Sequence, residues 1–484
     1  MNQGLVPFIL LPALAAVIAP FLWRKSRPAV ESLSALVLGL GLIAALIGIP
    51  LAGQLGAEFR AARGSFPMPP FRGDEFSTLM LVTIFLISLA SVFYSIFSVP
   101  GGEKRASYYS LILICTAGMA GVVTTGDFFT MYVFLEVVAV SSFALIAFSG
   151  DSEGIEGALK YLFLSAPASF LILLGVALLF LNTGGTSFSH LFQTAAGGGG
   201  SKAGILAALG LFACGFMVKA GLVPFHGWVP DAYQSSPAPI SALLSGIVTK
   251  VAGVYALVRM SMFLHAAPGY ASVTRALMFF GALSIVVGAL AAMVQRDFKR
   301  LLAFSSISQV GYIVLSAGLG TPMALLGATF HLFNHATFKA TLFLNGAAVE
   351  RATGTRDMTQ LGGLGSRMPW TTGTSVVAFL STAGIPPLSG FWSKLIIIVA
   401  LWVGGAKGYA IIALLASILT LGYFLILQRR IFFGKVVSFT EGAEEVAAGM
   451  LLPVVVLAAL MVIIGLYFPF ICQLLLDPAV KALL

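Results

Sequence analysis

Apolar runs about 20 residues long recur along this chain, and each is long enough for one helix to cross a bilayer core of about 30 Å. Windows of that size fall at 4–23, 29–51, 75–97, 107–125, 127–148, 158–182, 203–225, 238–264, 273–294, 301–319, 321–349, 369–402, 408–428 and 449–475. Fourteen windows predict an all-α polytopic membrane protein, because in hydrocarbon only a helix or a closed barrel pairs every backbone group. A barrel is excluded, since the runs are continuous and far longer than about 10 alternating residues. Of 484 residues 59% are hydrophobic and 9% charged, with a mean hydropathy of +1.00. That balance excludes a soluble enzyme, a disordered chain and a nucleic-acid-binding module. No Lys or Arg precedes the first window, and Arg24, Lys25 and Arg27 follow it; it reads as a retained helix, not a cleaved signal peptide.

The loop cations orient the chain. Odd-numbered loops hold Arg24, Lys25, Arg27, Lys104, Arg105, Arg296, Lys299, Arg300, Arg351, Arg356, Arg367, Arg429, Arg430 and Lys435. Even-numbered loops, adjoining helix ends and the C-terminal tail hold Arg60, Arg63, Arg72, Lys202, Arg259, Arg275, Lys407 and Lys481. Fourteen against eight places both termini outside by the positive-inside rule. The net charge of +9 is then a matter of topology, not of a basic binding patch. Cys115, Cys214 and Cys472 are scattered in apolar runs, without the spacing of a disulfide framework, a zinc site or an iron–sulfur cluster. No nucleotide motif is present, no cofactor is expected, and Gly197–Gly200 reads as a flexible loop.

Three short self-similarities point to an internal repeat. Ala220 to Trp228 resembles Ala383 to Trp392; Ala242-Leu243-Leu244 with Ile247 and Thr249 resembles Ala413-Leu414-Leu415 with Ile418 and Thr420; and Lys160 before Tyr161 to Leu164 loosely resembles Lys339 before Ala340 to Leu344. About five spans fit in each offset, and five is odd, so consecutive units sit inverted in the membrane. The expected division is residues 1–98 (spans 1–3), 99–265 (spans 4–8), 266–430 (spans 9–13) and 431–484 (span 14). The clearest repeated element is a helix broken at proline, at Pro224 in span 7 and at Pro386-Pro387 in span 12. A broken helix is tolerated in a bilayer only where its freed backbone is buried or meets water, which predicts two hydrated sites.

Few charges stay within the spans: Lys160, Lys219, Lys250, Lys339, Lys394 and, in mid-span, Glu136, with Asp127 at the start of that same span. A charge at the bilayer centre costs at least ~2.5–3.5 kcal/mol on insertion scales and is a functional candidate by default. Snorkelling competes with that reading, evenly for Lys160 near its helix start and poorly for the short side chain of Glu136. An ion pair with Lys219 would lower the burial cost of Glu136. His331, His335 and Lys339 share one helix face at i, i+4 and i+8. Two histidines at i, i+4 also suit a metal, but the nearest acid, Glu350, lies eleven residues beyond Lys339, so no metal is expected. A neutral His can pass a proton and a desolvated Lys can release one. Together the groups form a polar line in the membrane plane suited to proton transfer, with Asp127 and Lys160 as further candidates for relay or uptake.

These residues resemble the antiporter-like proton-pumping subunits of respiratory complex I, shared with Mrp-type cation/proton antiporters and membrane-bound energy-converting hydrogenases. The resemblance covers roughly residues 75–430. It is carried by Phe134-Leu135-Glu136, Lys219 to Trp228, Ser236-Pro237-Ala238-Pro239, Thr249-Lys250, Asp297 to Ser306, His331 to Lys339, and Gly384 to Lys394. It implies fourteen helices with broken seventh and twelfth spans. It also implies that Glu136 pairs with Lys219, that Lys250 connects toward the centre, that His331, His335 and Lys339 form the polar face of span 11, and that Lys394 is the terminal lysine of span 12. Some members carry Glu at that last position, so Lys394 leans away from their branch. No long lateral helix is expected after span 14. The implied function is a proton-translocating subunit of a redox-driven complex in a prokaryotic cytoplasmic membrane. Its partners would be other membrane subunits and its cargo protons, with the redox chemistry lying outside this chain. The alternative is an Mrp-type subunit exchanging Na⁺ for H⁺; a structural subunit with idle lysines is a third class.

Overall fold

The computed structural model describes residues 5–24, 26–61, 73–99, 102, 104–196, 199–266, 269 and 271–483. Lys25, Arg63 and Arg72 of the orientation count, and Gly197 and Gly198 of the expected loop, lie outside the described residues. Among the described residues every regular element is a helix. The first eight are α1 (Val6–Trp23), α2 (Arg27–Ala61), α3 (Glu75–Ser98), α4 (Arg105–Thr124), α5 (Phe128–Ile146), α6 (Ser152–Thr183), the short α7 (Phe188–Ala196) and α8 (Lys202–Ala220). Next come α9 (Trp228–Ser235) and α10 (Ala238–Leu243), the latter continued by π-helical turns over Leu244–Val248 and Lys250–Tyr255 into α11 (Ala256–Ala266). Then follow α12 (Ala271–Met293), α13 (Phe298–Leu319), α14 (Pro322–Thr353), α15 (Pro369–Ala383), α16 (Ser389–Val403), α17 (Lys407–Ile431), α18 (Ala448–Leu466), α19 (Phe468–Ile471) and α20 (Asp477–Lys481).

Among the described residues twelve helical stretches are long and apolar enough to cross a membrane, and they coincide with twelve of the fourteen windows. The other two windows hold α14, 32 residues long with His331, Asn334, His335 and Lys339 on it, and the pair α15 and α16, 15 residues each. The seventh window ends too early: after its break the helix resumes at Trp228 and runs to Ser235. Proline ended the apolar run in sequence, but not the path of the chain.

Helix starts follow local chemistry. The side chains of Asp74, Asp127, Asp151 and Asp297 accept the amides of Ser77, Thr130, Gly154 and Arg300, each three residues on, which satisfies donors that have no partner within the helix. Both breaks follow a glycine with positive φ, Gly221 at 70° and Gly384 at 83°, a conformation that other residues adopt only at a cost. A cis peptide bond follows in each, Val223-Pro224 and Pro386-Pro387. Protein groups take up the backbone around the breaks. The indole Nε1 of Trp228 donates to the Val218 carbonyl at 3.1 Å, Val223 N donates to Ser284 Oγ at 3.0 Å, and Gly390 N donates to Ser381 Oγ at 3.2 Å.

One backbone arrangement occurs twice. Asp127 and Ser187 form an isolated antiparallel bridge, and so do Asp297 and Asp357, 170 residues further on. Phe128 N donates to Thr186 O and Phe188 N to Gly126 O in the first; Phe298 N donates to Arg356 O and Met358 N to Arg296 O in the second. Helices α6 and α14 have the same length, 32 residues, and each ends at a Thr followed by a left-handed Gly, Gly184 or Gly354.

Candidate functional site

Lys219 lies in the last turn of α8, just before the first break, and its side chain is 1% exposed. Its ammonium reaches Glu136 Oε1 at 3.5 Å, Ser165 Oγ at 3.2 Å and Ser169 Oγ at 3.0 Å. Ser169 in turn donates to Glu136. A buried ammonium needs such acceptors, since desolvation without partners would expel or neutralise it. Glu136 stands near the middle of α5 and keeps 37% of its side chain exposed, on a face it shares with the exposed Phe129, Val133 and Val140.

Lys250 sits in the π-helical turns and is fully buried. These turns approach α8 so closely that a Cβ at Gly253 would lie 2.3 Å from Ala220 N; only glycine allows the two backbones that near. Lys250 Nζ donates to Thr249 Oγ1 at 3.0 Å and to Ser306 Oγ at 3.2 Å. Ser306 Oγ lies 3.2 Å from His335 Nε2, so one hydroxyl joins the α10–α11 lysine to the α14 histidine.

The α14 row is buried throughout, but its members turn to different partners. His335 meets Ser306 on α13, and His331 Nδ1 meets Ser393 Oγ on α16 at 2.9 Å. Lys339 Nζ donates to Ser305 Oγ at 2.7 Å and to the Leu302 carbonyl at 3.1 Å. Lys394, at 2% exposure, donates to Ser417 Oγ at 3.3 Å and lies 4.9 Å above the Tyr312 ring. Among the described residues these lysines and histidines each lie against a serine hydroxyl; Ser169 bridges Lys219 to Glu136 and Ser306 bridges Lys250 to His335. No group of three or more His, Cys, Asp or Glu suited to a metal occurs among them.

Two candidates stand apart from these groups. Lys160 is 45% exposed and pairs with Glu156 and Asp231, each at 2.6 Å; Asp231 also binds Arg300, within a surface network of ion pairs. By the 170-residue spacing of the repeated bridge, Lys339 stands opposite Ser169, and Lys160 opposite Phe330. Asp127 is committed to its cap, accepting from Thr130 N at 2.8 Å and from the Thr186 hydroxyl.

Two of the cations counted for orientation are buried in ion pairs. Arg259, read as a helix-end cation, is 6% exposed and holds Asp74 Oδ2 at 2.6 Å, Ser77 Oγ at 2.9 Å and, through Nε, Tyr255 Oη at 2.9 Å. Lys299, read as a loop cation, is buried against Glu350 at 2.7 Å. Sequence reasoning also passed over Ser165, Ser169, Ser305, Ser306, Ser393 and Ser417. The one available signal was a serine in an apolar run, too common among membrane helices to single them out.

Residues 125–420 match the family described as NADH:quinone oxidoreductase/Mrp antiporter, transmembrane. The chain is 34% identical to NADH-quinone oxidoreductase subunit N of Desulforudis audaxviator over 95% of each chain. It is 34% identical to a Na⁺/H⁺ antiporter subunit of Alkalihalophilus pseudofirmus over 81% of this chain and 79% of that one. A chain in the structure of the membrane-bound sulfane sulfur reductase, an archaeal respiratory membrane complex, superposes with a TM-score of 0.90 at 28% identity, covering 100% of this chain and 98% of that chain.

Proposed function

Because the chain belongs to the NADH:quinone oxidoreductase/Mrp antiporter family, we propose that it moves protons along the Glu136, Lys219, Lys250, His335, His331, Lys339 and Lys394 file as one subunit of a redox-driven membrane complex. It is an antiporter-like integral membrane subunit. The observation that carries the reading is the buried set itself: four lysines, each under 3% exposed, each with its ammonium on a serine hydroxyl, Ser169, Ser306, Ser305 and Ser417, with Ser306 leading on to His335. Keeping that many ammonium groups in hydrocarbon is worthwhile only if their protons are exchanged.

A second observation supports membership of a larger assembly. Glu136 exposes 37% of its side chain midway along a helix whose surrounding face is apolar, and a carboxylate there is strongly disfavoured against lipid. A neighbouring membrane subunit covers that face. The repeated bridge supports two repeated units, which on this reading are inverted five-helix units over residues 99–265 and 266–430, flanked by 1–98 and 431–484. The loop cations support both termini outside a prokaryotic cytoplasmic membrane, and the apolar windows support fourteen crossings.

The alternative, a Na⁺/H⁺ exchanging subunit without redox coupling, is favoured by the likeness to the Alkalihalophilus pseudofirmus antiporter chain. Its test is shared. The complex is reconstituted into vesicles and lumenal pH followed with an electron donor, and again with a Na⁺ gradient alone. Donor-driven movement that disappears in Lys219→Ala and falls sharply in Glu136→Gln is expected. Movement driven by Na⁺ without a donor supports the antiporter reading, and full pumping after joint replacement of Lys219, Lys250 and Lys394 refutes both.

A further inference from the structure

Between Lys339 and Lys394 the helices α13 and α17 bring two polar rows together. Ser305, Gln309 and Tyr312 lie on one face of α13 at i, i+4 and i+7, and Tyr423, Thr420 and Ser417 follow one another along α17 at intervals of three residues. The two rows run in opposite directions. Tyr423 Oη donates to Ser305 Oγ at 2.8 Å, and Tyr312 Oη donates to the Ala413 carbonyl at 2.6 Å. Ser305 is the hydroxyl that also accepts from Lys339, and Ser417 the one that accepts from Lys394. A polar seam therefore has a lysine at each end.

Gln309 occupies the middle of that seam, one turn from Ser305 and one from Tyr312. It is fully buried, and neither its Oε1 nor its Nε2 finds a hydrogen-bond partner among the described residues. Tyr423, whose hydroxyl is given to Ser305 one turn from Gln309, borders the same seam. An amide with both polar atoms unpaired is among the least favourable groups to bury, and leucine would fill a similar volume without that penalty. Water meets the need, because it both donates and accepts and settles where several polar groups converge. His331 lies apart from this seam: its Nδ1 meets Ser393 Oγ on α16, and its Nε2 has no hydrogen-bond partner among the described residues.

We propose that Gln309 holds water between α13 and α17, and that this water completes a second proton connection from Lys394 through Tyr423 and Ser305 to Lys339, beside the file through His331. The inference deepens the proton-transport reading and rests on it. In transfer toward Lys339, the Lys394 ammonium gives a proton to the water and the water gives one to Tyr423. Tyr423 passes its own hydroxyl proton to Ser305, and Ser305 passes its own to the neutral Lys339 amine. Each oxygen ends with the protons it began with, Lys394 is left neutral and Lys339 is left charged.

The test compares Gln309→Leu, Tyr423→Phe and Lys219→Ala in the assembled complex, reconstituted into vesicles and assayed for proton flux and thermal stability. Infrared spectra are recorded in H₂O and D₂O for the O–H bands of buried water. The expected result is that Lys219→Ala abolishes flux, while Gln309→Leu assembles, melts no lower than the parent, loses a buried-water band and loses most of the flux. Tyr423→Phe, which removes only one oxygen, loses most of the flux as well and decides the matter should Gln309→Leu fail to assemble. Full flux in Gln309→Leu and Tyr423→Phe, with none in Lys219→Ala, overturns the seam and leaves the main reading standing. Full flux in Lys219→Ala overturns both.

Discussion

Asp74→Asn isolates the ion pair that anchors the helix bearing Lys250. Asp74 caps α3, and its carboxylate faces Arg259 on α11, nine residues beyond Lys250. Asparagine caps a helix about as well as aspartate, so the bond to Ser77 N survives and only the charge is lost. Breaking a buried pair by removing one partner costs roughly 3–5 kcal/mol. The 22% exposure of the Asp74 side chain and the bonds Arg259 keeps to Ser77 and Tyr255 place this case at the low end, about 3 kcal/mol. Burial alone would raise the Asp74 carboxyl, but the Arg259 guanidinium and the bonds from Ser77 hold it below its ordinary value. A carboxylate depressed in the folded state adds stability above its unfolded pKa of about 3.9 and loses it as pH falls through the folded value. Thermal unfolding of the purified complex in detergent, followed from pH 7 down to about 3, should therefore show Asp74→Asn melting several degrees lower at neutral pH and converging with the parent below about pH 4. Equal melting at pH 7 would refute the energetic argument. A gap that stays constant to the lowest pH would refute its electrostatic origin.

Two further perturbations probe the file. Ser306→Ala removes the one hydroxyl between Lys250 and His335; proton flux in vesicles should fall severalfold while assembly on native gels is unchanged. Gly253→Ala places a Cβ 2.3 Å from Ala220 N, so α8 and the π-helical turns must separate; overpacking of this kind costs typically ~1–3 kcal/mol, read as a lower melting temperature together with reduced flux.

Much of this was legible in the chain because hydrocarbon imposes a length. A helix of about 20 residues leaves its mark even where, as in α14, two histidines, two asparagines and a lysine interrupt the run. Buried lysines were legible for the same reason: Lys250 and Lys394 have no other charged residue within eight positions on either side. Partners were less so. Arg259 and Lys299 looked like boundary cations because what permits their burial, Asp74 and Glu350, lies 185 and 51 residues away in sequence. The match in the text and the match in the backbone differ in register: Lys160 and Lys339 match as text, whereas the bridges at Asp127 and Asp297 pair Lys339 with Ser169. Similar short strings recur by chance in Leu- and Ala-rich helices, and a backbone bridge does not.

The outward face of Glu136 bears on how an assembled subunit differs from a lone one. A copy without its neighbour shows a carboxylate to lipid near mid-membrane, and such a polar blemish is what distinguishes an orphan from an assembled chain. On the proposed reading the same acid is covered only in the complex, so whether Glu136 meets lipid or protein is a chemical mark of assembly.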